Sequence, residues 1–192
     1  MLSLRQNKYG PLRTFSSEDL VNTLLLLQNT TIPRGALSKK LELGEGATRT
    51  IIAELARQGL LETKKKGCML TKKGGLEARK LRRHIASITQ APATPLTYSQ
   101  AASLLLLKNA KIRHGLEERD AAIKAGASGA TILTVKAGKL FFPDSLSQVD
   151  PVTAEKITPK NAEDGDVIIL AYGPKKTKAA IAAAMQAMGE KR

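Results

Sequence analysis

The chain has no tryptophan, three tyrosines and three phenylalanines among its 192 residues, so aromatic side chains are scarce. Proteins that bind single-stranded nucleic acid commonly stack the exposed bases on aromatic rings. The scarcity therefore argues against single-stranded nucleic acid as the main partner. With 42% hydrophobic residues, the chain can still fill real cores with aliphatic side chains. Its length accommodates two units of about 90 residues each.

Cysteine and histidine are nearly absent as well. The single cysteine, Cys68, cannot form a disulfide within the chain, and there are only two histidines. The sequence contains no HExxH, GxSxG or CxxC pattern, and Gly126-Ala-Ser-Gly129 lacks the spacing and the lysine of a phosphate-binding loop. We therefore predict a protein that is not an enzyme, with no catalytic residue, no metal and no cofactor.

Long apolar runs are missing too. No run reaches the roughly eighteen residues needed to span a membrane, and the start, MLSLRQNKYG, lacks the apolar stretch of a secretory signal. We expect a soluble, cytoplasmic protein with no membrane partner.

Positive charge is abundant and unevenly distributed. The chain has 31 lysines and arginines against 17 acidic residues, a formal net charge of +14. Residues 1–89 contain 17 of the basic and 7 of the acidic residues, and the remainder contains 14 and 10. Cationic surfaces bind polyanions because each neutralised phosphate releases a counterion. The polyanion-binding half is therefore predicted to be the N-terminal one.

The first sixty residues predict three helices. The first begins after an N-cap at Ser16 and runs to about Gln28, and Pro33 suits the first position of a short second helix. Two glycines force a turn at residues 43–46, because glycine breaks helices. A third helix is predicted over residues 47–58.

A hairpin and a fourth helix are predicted next. Residues 60–65 and 68–71 are short extended segments around a Lys66-Gly67 turn. The fourth helix is predicted to begin at Thr71 and to carry a narrow apolar stripe that suits pairing with another helix. The stripe predicts either a homodimer contact or packing onto the second half of the chain. It consists of Ala78, Leu81, Ile85 and Ile88.

The second half predicts a different fold. Residues 89–98 contain two prolines and no periodicity, and are predicted to link a domain at 1–88 to another at 99–192. The second domain is predicted to be a small α/β sandwich with the order β-α-β-β-α-β-α, like a split βαβ unit with an added helix. The fold class is therefore α+β. The predicted elements are residues 101–107, 116–125, 130–136, 139–142, 152–162, 167–172 and 176–188.

Helix, helix, turn, helix and hairpin is the element order of a winged helix-turn-helix domain. On the third helix, Ala47, Ile51 and Leu55 fall on one side, which is predicted to face the core. The opposite side is small or positively charged, which suits a helix in the DNA major groove. Arg49 and Thr50 are predicted to meet base edges and Arg57 to meet phosphate, while the hairpin lysines can reach backbone phosphates or the adjacent minor groove. The predicted DNA-binding residues are Gly46, Arg49, Thr50, Arg57, Lys64, Lys65 and Lys66. The alternative is an ordinary amphipathic helix and hairpin with solvated cations.

The segment LGEGATRTIIAELARQGLLETKKKGCMLTKKG, residues 43–74, resembles the third helix and wing of prokaryotic winged helix-turn-helix regulators. The resemblance covers about residues 15–85. It is closest to an archaeal group that joins such a domain to a C-terminal domain of unknown function, and KIRHGLEERDAAIKAGASGATIL resembles that second domain. The resemblance implies a winged-helix fold and binding to double-stranded DNA, and it implies no ligand.

Two groups of cations precede predicted helices in the second half. A helix N-terminus with nearby cations favours an anion, so we predict a small anionic effector there. Local neutralisation by Glu117, Glu118 and Asp120 is the alternative. The candidate residues are Lys108, Lys111, Arg113, His114, Lys175 and Lys176.

These observations predict a homodimeric, sequence-specific DNA-binding transcriptional regulator whose C-terminal domain senses a ligand or mediates assembly. One alternative is an architectural DNA-binding protein whose second domain only assembles oligomers. Another is an enzyme domain joined to a DNA-binding module. A pocket that gathers Lys108, Arg113, His114 and Lys175 would favour the sensor.

Overall fold

The computed structural model describes residues 15–143, 145 and 147–189. It divides into two compact units, residues 1–81 and 82–192. The start of the chain, for which the sequence predicts no secretory signal, lies outside the described residues. None of the described helices is long and apolar enough to cross a membrane.

The N-terminal unit is built on three helices, as predicted: α1 (Ser17–Leu27), α2 (Arg34–Leu41) and α3 (Glu45–Arg57). Helix α1 begins with a capping box, in which the backbone N–H and hydroxyl of Ser16 donate to the Asp19 carboxylate at 2.8 and 3.1 Å. The core is aliphatic, and the side chains at its centre are completely buried. They include Leu20, Leu24, Leu37, Ile51 and Leu55.

The predicted hairpin is formed by β1 (Leu61–Lys64) and β2 (Gly67–Leu70). Because Lys64 pairs with Gly67, the turn is Lys65-Lys66, one residue earlier than predicted. The connector before α2 adds a third strand position, since Ile32 and Cys68 exchange two backbone hydrogen bonds of 3.0 and 2.8 Å. This exchange ties the wing to the helices.

The fourth helix is shorter than predicted, and the predicted stripe along it is wrong. Helix α4 is Lys72–His84, and the chain continues as strand β3 (Ile85–Ala91). Ala78 and Leu81 pack into the core of the N-terminal unit, whereas Ile85 and Ile88 lie in the strand. The β-branched residues of this segment favour an extended conformation once a buried strand is available for pairing. The helical spacing across residue 84 is therefore coincidental.

The C-terminal unit contains a five-stranded antiparallel sheet in the order β3-β4-β7-β5-β6. The other elements of the unit follow the predicted order β-α-β-β-α-β-α, and β3 is the element that the sequence did not predict. The segment 89–98, predicted as a linker, contains the end of β3 and a 3₁₀ turn at Pro95–Thr97. The first unit ends at residue 81, seven residues before the predicted domain end at residue 88. The other elements are β4 (Ala102–Leu107), α5 (Leu116–Lys124), β5 (Gly129–Lys136), β6 (Lys139–Phe141), α6 (Pro151–Ile157), β7 (Val167–Tyr172) and α7 (Lys176–Ala187).

Helices cover both faces of this sheet. Every residue of β4 and β7 is buried, which accounts for their continuous apolar sequences. Leu104, Leu170 and Ile157 of α6 share one core cluster. Helices α5 and α7 pack on each other, and α7 packs on β4 and β7.

Candidate nucleic-acid interface

Helix α3 has one buried and one exposed face, as its periodicity predicts. Ile51 and Leu55 are completely buried, and the buried Thr48 donates its hydroxyl to the Gly44 carbonyl at 3.1 Å. The burial of Ile51 and Leu55 fixes the rotation of the helix about its axis. The exposed face carries Gly46, Arg49, Thr50, Ala53 and Arg57.

Arg49 is an exposed cation on this face, and no other described side chain pairs with it. On the next residue, the Thr50 hydroxyl donates to the Gly46 carbonyl at 3.0 Å, which leaves the hydroxyl lone pairs available as acceptors. A Cβ atom at Gly46 would meet no described atom within 4 Å. The fold therefore leaves the space beside Gly46 open.

Arg57, at the end of α3, is already paired. Its guanidinium donates to both oxygens of Glu54, at 2.6 and 3.1 Å, and this pairing raises the pKa of Arg57. Gln58 donates to the same carboxylate at 2.7 Å. A phosphate would have to compete with Glu54 for Arg57, so this residue is less available to an anion than Arg49.

The wing lysines also differ from one another. Lys64 lies 3.0 Å from a carboxylate oxygen of Glu62 on the same strand. Lys65 and Lys66 form the exposed turn, and no described acidic side chain pairs with either. The tip of the wing therefore presents two ammonium groups that are available to an external anion.

Two contacts that sequence reasoning missed hold α3 against the start of α4. The Lys73 ammonium donates to the Gln58 carbonyl at 2.9 Å, and the Thr71 hydroxyl donates to the Gly59 carbonyl at 2.7 Å. A cation beside a helix C-terminus satisfies its free carbonyls. The whole hairpin separates these residues from the end of α3 along the chain, so no local sequence signal could have found the two contacts.

In the C-terminal unit, Lys108 is engaged in a local ion cluster. Its ammonium donates to Asp166 at 2.7 Å, to Glu163 at 2.9 Å and to the Asn161 carbonyl at 3.1 Å. The hydrogen bonds to the two carboxylates raise the pKa of Lys108. Lys108 is thus neutralised locally, by acids other than those that the sequence suggested.

The structure does not bring Lys108 together with Lys175 and Lys176. Leu107 pairs with Val167, so Lys108 lies at the start of β7, whereas the other two lysines follow its end. A strand of six residues separates the ends by about 17 Å. Lys176 donates to the Ala101 carbonyl at 3.3 Å, and the side chain of Lys175 lies beside Gly126.

The remaining candidates, Lys111, Arg113 and His114, are exposed in the loop before α5. In the described part of the chain, no three histidine, cysteine, aspartate or glutamate side chains are grouped as a metal site.

The three helices, the hairpin and the strand position at Ile32 define the N-terminal unit as a winged-helix domain. Residues 16–76 match the family of PH0730-like N-terminal domains, and residues 98–190 match a domain of unknown function, DUF4443. The fold is similar to that of hypothetical protein PH0730 from Pyrococcus horikoshii OT3, with a TM-score of 0.79 and 29% identity, over 92% of this chain and 95% of that chain. The chain therefore carries a PH0730-like N-terminal domain and a DUF4443 domain, the two-domain organisation that the sequence resemblance implied.

Two other solved structures are only weakly similar to this chain. Reduced HlyU from Vibrio cholerae N16961 has a TM-score of 0.32 and 27% identity, over 34% of this chain and 74% of that chain. BusR of S. agalactiae, in complex with its busAB-promotor DNA, has a TM-score of 0.26 and 13% identity, over 89% of this chain and 99% of that chain. The comparison with curated proteins gave no match.

Proposed function

We propose that the N-terminal unit binds double-stranded DNA and that the protein is a cytoplasmic transcriptional regulator. In this proposal α3 enters the major groove, Arg49 and Thr50 meet base edges, and the Lys65-Lys66 turn meets backbone phosphates. The observation that carries the proposal is the exposed face of α3, which presents a cation without a described partner beside an open glycine. Solvated cations remain the alternative that the experiments below test.

The first test concerns base reading by Arg49. Arg49→Ala is expected to weaken binding to the specific site by about 1–3 kcal/mol and to relax discrimination at one position, because an arginine can bond two acceptors of a guanine. Arg57→Ala is expected to cost less, since Arg57 is held by Glu54. Sites selected from random duplexes and fluorescence anisotropy measure both effects.

Lys80→Ala is the matched control for the loss of one positive charge, because Lys80 lies on α4 and pairs with Glu77 at 2.8 Å. If Arg49→Ala weakens all duplexes equally, or no more than Lys80→Ala does, Arg49 does not read bases.

The wing is tested by salt dependence. Lys65→Ala with Lys66→Ala is expected to lower affinity on every duplex, and to flatten the slope of log affinity against log salt by up to about 0.9 for each phosphate that is no longer neutralised. Lys64→Ala is the comparison, and a smaller change is expected because Lys64 has Glu62 nearby. An unchanged slope in the double variant would remove the wing from the interface.

We also propose a homodimer, since one winged helix covers few base pairs. With the α4 stripe excluded, the open edge of β3 is the best-supported contact. Its seven residues include no charge and no proline, whereas the other edge strand, β6, is itself bridged at Phe141 by Gln148. Uncharged open edges readily pair with another strand.

Thr89→Lys tests this contact. In a two-fold antiparallel pairing centred on Ile88, the two new charges would lie close together, so the variant is expected to be a folded monomer. Gln100→Lys, at an exposed position outside the strand, is the control. Light scattering is expected to give twice the chain mass of 20.6 kDa for the wild type. A monomeric wild type, or a dimeric Thr89→Lys protein, contradicts the proposed edge.

An architectural DNA-binding protein without a sensing role is the second candidate function. The ion cluster at Lys108 and the separation of Lys108 from Lys175 favour it, because they leave no single anion site that joins the two groups. Lys111, Arg113 and His114 remain exposed candidates for an effector at the second unit. The absence of any effect of small anions on DNA affinity would favour the architectural role.

A further inference from the structure

A solvent-open cavity of about 500 Å³ lies on the surface of the N-terminal unit. It is bounded by the end of α1, the connector to α2, strand β2 and the first turns of α4. Sites for small molecules commonly measure about 300–1,000 Å³. The cavity lies among elements other than the exposed face of α3.

The lining of this cavity is cationic on one side. Arg79 is its one charged residue, and no acidic residue lines it. Arg79 is exposed, and no other described side chain pairs with it. An unpaired guanidinium is suited to bind a carboxylate through two parallel hydrogen bonds.

Other lining groups are polar or apolar without charge. Thr30 and Thr31 are exposed hydroxyl residues of the connector, while Met69 and Leu70 supply apolar surface from β2. Thr71 is less available, because its hydroxyl donates to the Gly59 carbonyl and accepts from the Gly74 N–H at 3.0 Å. Gln28 and Asn29 add uncharged amide groups to the lining, so the cavity combines one anion-binding group with an apolar wall and several neutral polar groups.

We propose that this cavity binds a small organic anion, with the carboxylate on Arg79, the apolar part against Met69 and Leu70, and polar substituents at Thr30 and Thr31. The apolar wall distinguishes such a ligand from a DNA phosphate, which has no use for it. Strand β2 belongs to the wing, and the backbone of Cys68 is hydrogen-bonded to that of Ile32 in the connector. A ligand in the cavity would therefore contact both the wing and the connector that holds it. Binding of such a ligand is therefore expected to change the affinity for DNA, and this last step rests on the proposed function.

Benzoate is the probe, because it joins a carboxylate to an apolar ring. In an NMR titration of the full-length ¹⁵N-labelled protein, saturable shifts are expected for the amides of Thr30, Thr31, Met69 and Leu70. Benzamide, the neutral analogue, and inorganic phosphate, which lacks the ring, are each expected to bind at least about tenfold more weakly.

Arg79→Gln is expected to weaken benzoate binding by about tenfold or more, because it removes the charge-assisted hydrogen bonds. Lys80→Gln is the matched control on the next residue of α4, where Lys80 is paired with Glu77, and it should leave benzoate binding unchanged. An unchanged affinity in Arg79→Gln overturns the proposal. So does equal binding of benzamide, or no saturable shift up to about 20 mM benzoate, a limit that corresponds to negligible affinity.

DNA-binding measurements distinguish a small organic anion from a DNA phosphate as the ligand of the cavity. If Arg79→Gln weakens all duplexes and benzoate merely competes with DNA for the same residue, the cavity binds a backbone phosphate and the small-molecule proposal fails. Benzoate binding is measured without DNA, so its failure leaves the proposed DNA-binding role of α3 intact. Conversely, a protein that binds benzoate at Arg79 but binds no duplex contradicts the proposed function alone.

Discussion

Lys108→Met is expected to lower the free energy of unfolding of the C-terminal unit by about 3–5 kcal/mol, the usual cost of leaving a buried charge without its partner. The Asp166 carboxylate is completely buried and accepts from the Lys108 ammonium at 2.7 Å. The backbone N–H groups of Glu163 and Asn109 donate to it at 2.8 and 3.3 Å. These two donors remain in the variant, but the compensating charge does not.

Glu163→Gln is the matched control for this cluster. The Glu163 side chain is 76% exposed, against 22% for Lys108 and 0% for Asp166, so its loss should cost less than about 1 kcal/mol. Urea unfolding followed by circular dichroism measures both variants. A cost for Lys108→Met that is no larger than that for Glu163→Gln would show that the cluster does not stabilise the unit.

The same cluster predicts an alkaline dependence of stability. Hydrogen bonds to Asp166 and Glu163 raise the pKa of Lys108 above its ordinary value of 10.5. A lysine whose pKa is raised by folding stabilises the folded state fully at pH values below its ordinary pKa. This contribution is lost as the pH rises through the raised pKa of the folded state. The wild type is therefore expected to lose stability above about pH 10.5 in a way that Lys108→Met does not.

Gly74→Ala is expected to destabilise the N-terminal unit by about 3 kcal/mol, at the upper end of the usual cost of overpacking. A Cβ atom at this position would fall onto the backbone carbonyl oxygen of Leu60. A backbone atom cannot move aside as a flexible side chain can, so α4 would have to shift away from the wing.

Gly75→Ala, on the next residue of the same helix, provides the opposite expectation. A Cβ atom there meets no described atom within 4 Å, so the change should stabilise α4 by about 0.5–1 kcal/mol. Thermal unfolding of the two variants should therefore move in opposite directions. An unchanged or raised stability in Gly74→Ala would mean that α4 does not approach Leu60 as closely as the structure indicates, and a lowered stability in Gly75→Ala would contradict the open space at that residue.

Much of the fold could be predicted from sequence because most elements carry a strong local pattern. The faces of α3 follow from its helical period, and β4 and β7 follow from continuous apolar runs bounded by polar turns. Strand β3 could not be predicted in this way. Ile85 and Ile88 continue the spacing of the preceding helix, and pairing with β4 decides their conformation.

The candidate site was predictable to a similar extent. Arg49 follows from its place on the exposed face of α3, and the pairing of Arg57 could have been recognised from Glu54 three residues earlier. The partner of Lys108 could not be found, because Asp166 is 58 residues away along the chain and only the sheet brings the two together. Local patterns do not encode such a contact.

The central claim is that α3 and the wing tip form the DNA-binding surface. A titration of the ¹⁵N-labelled protein with a short duplex at low salt, followed by NMR, tests it most directly. We expect the largest amide shifts to fall between Gly46 and Ala53 and at Lys65 and Lys66, and to diminish as salt is added. Shifts confined to residues 82–189, or no shifts at low salt, would contradict the claim.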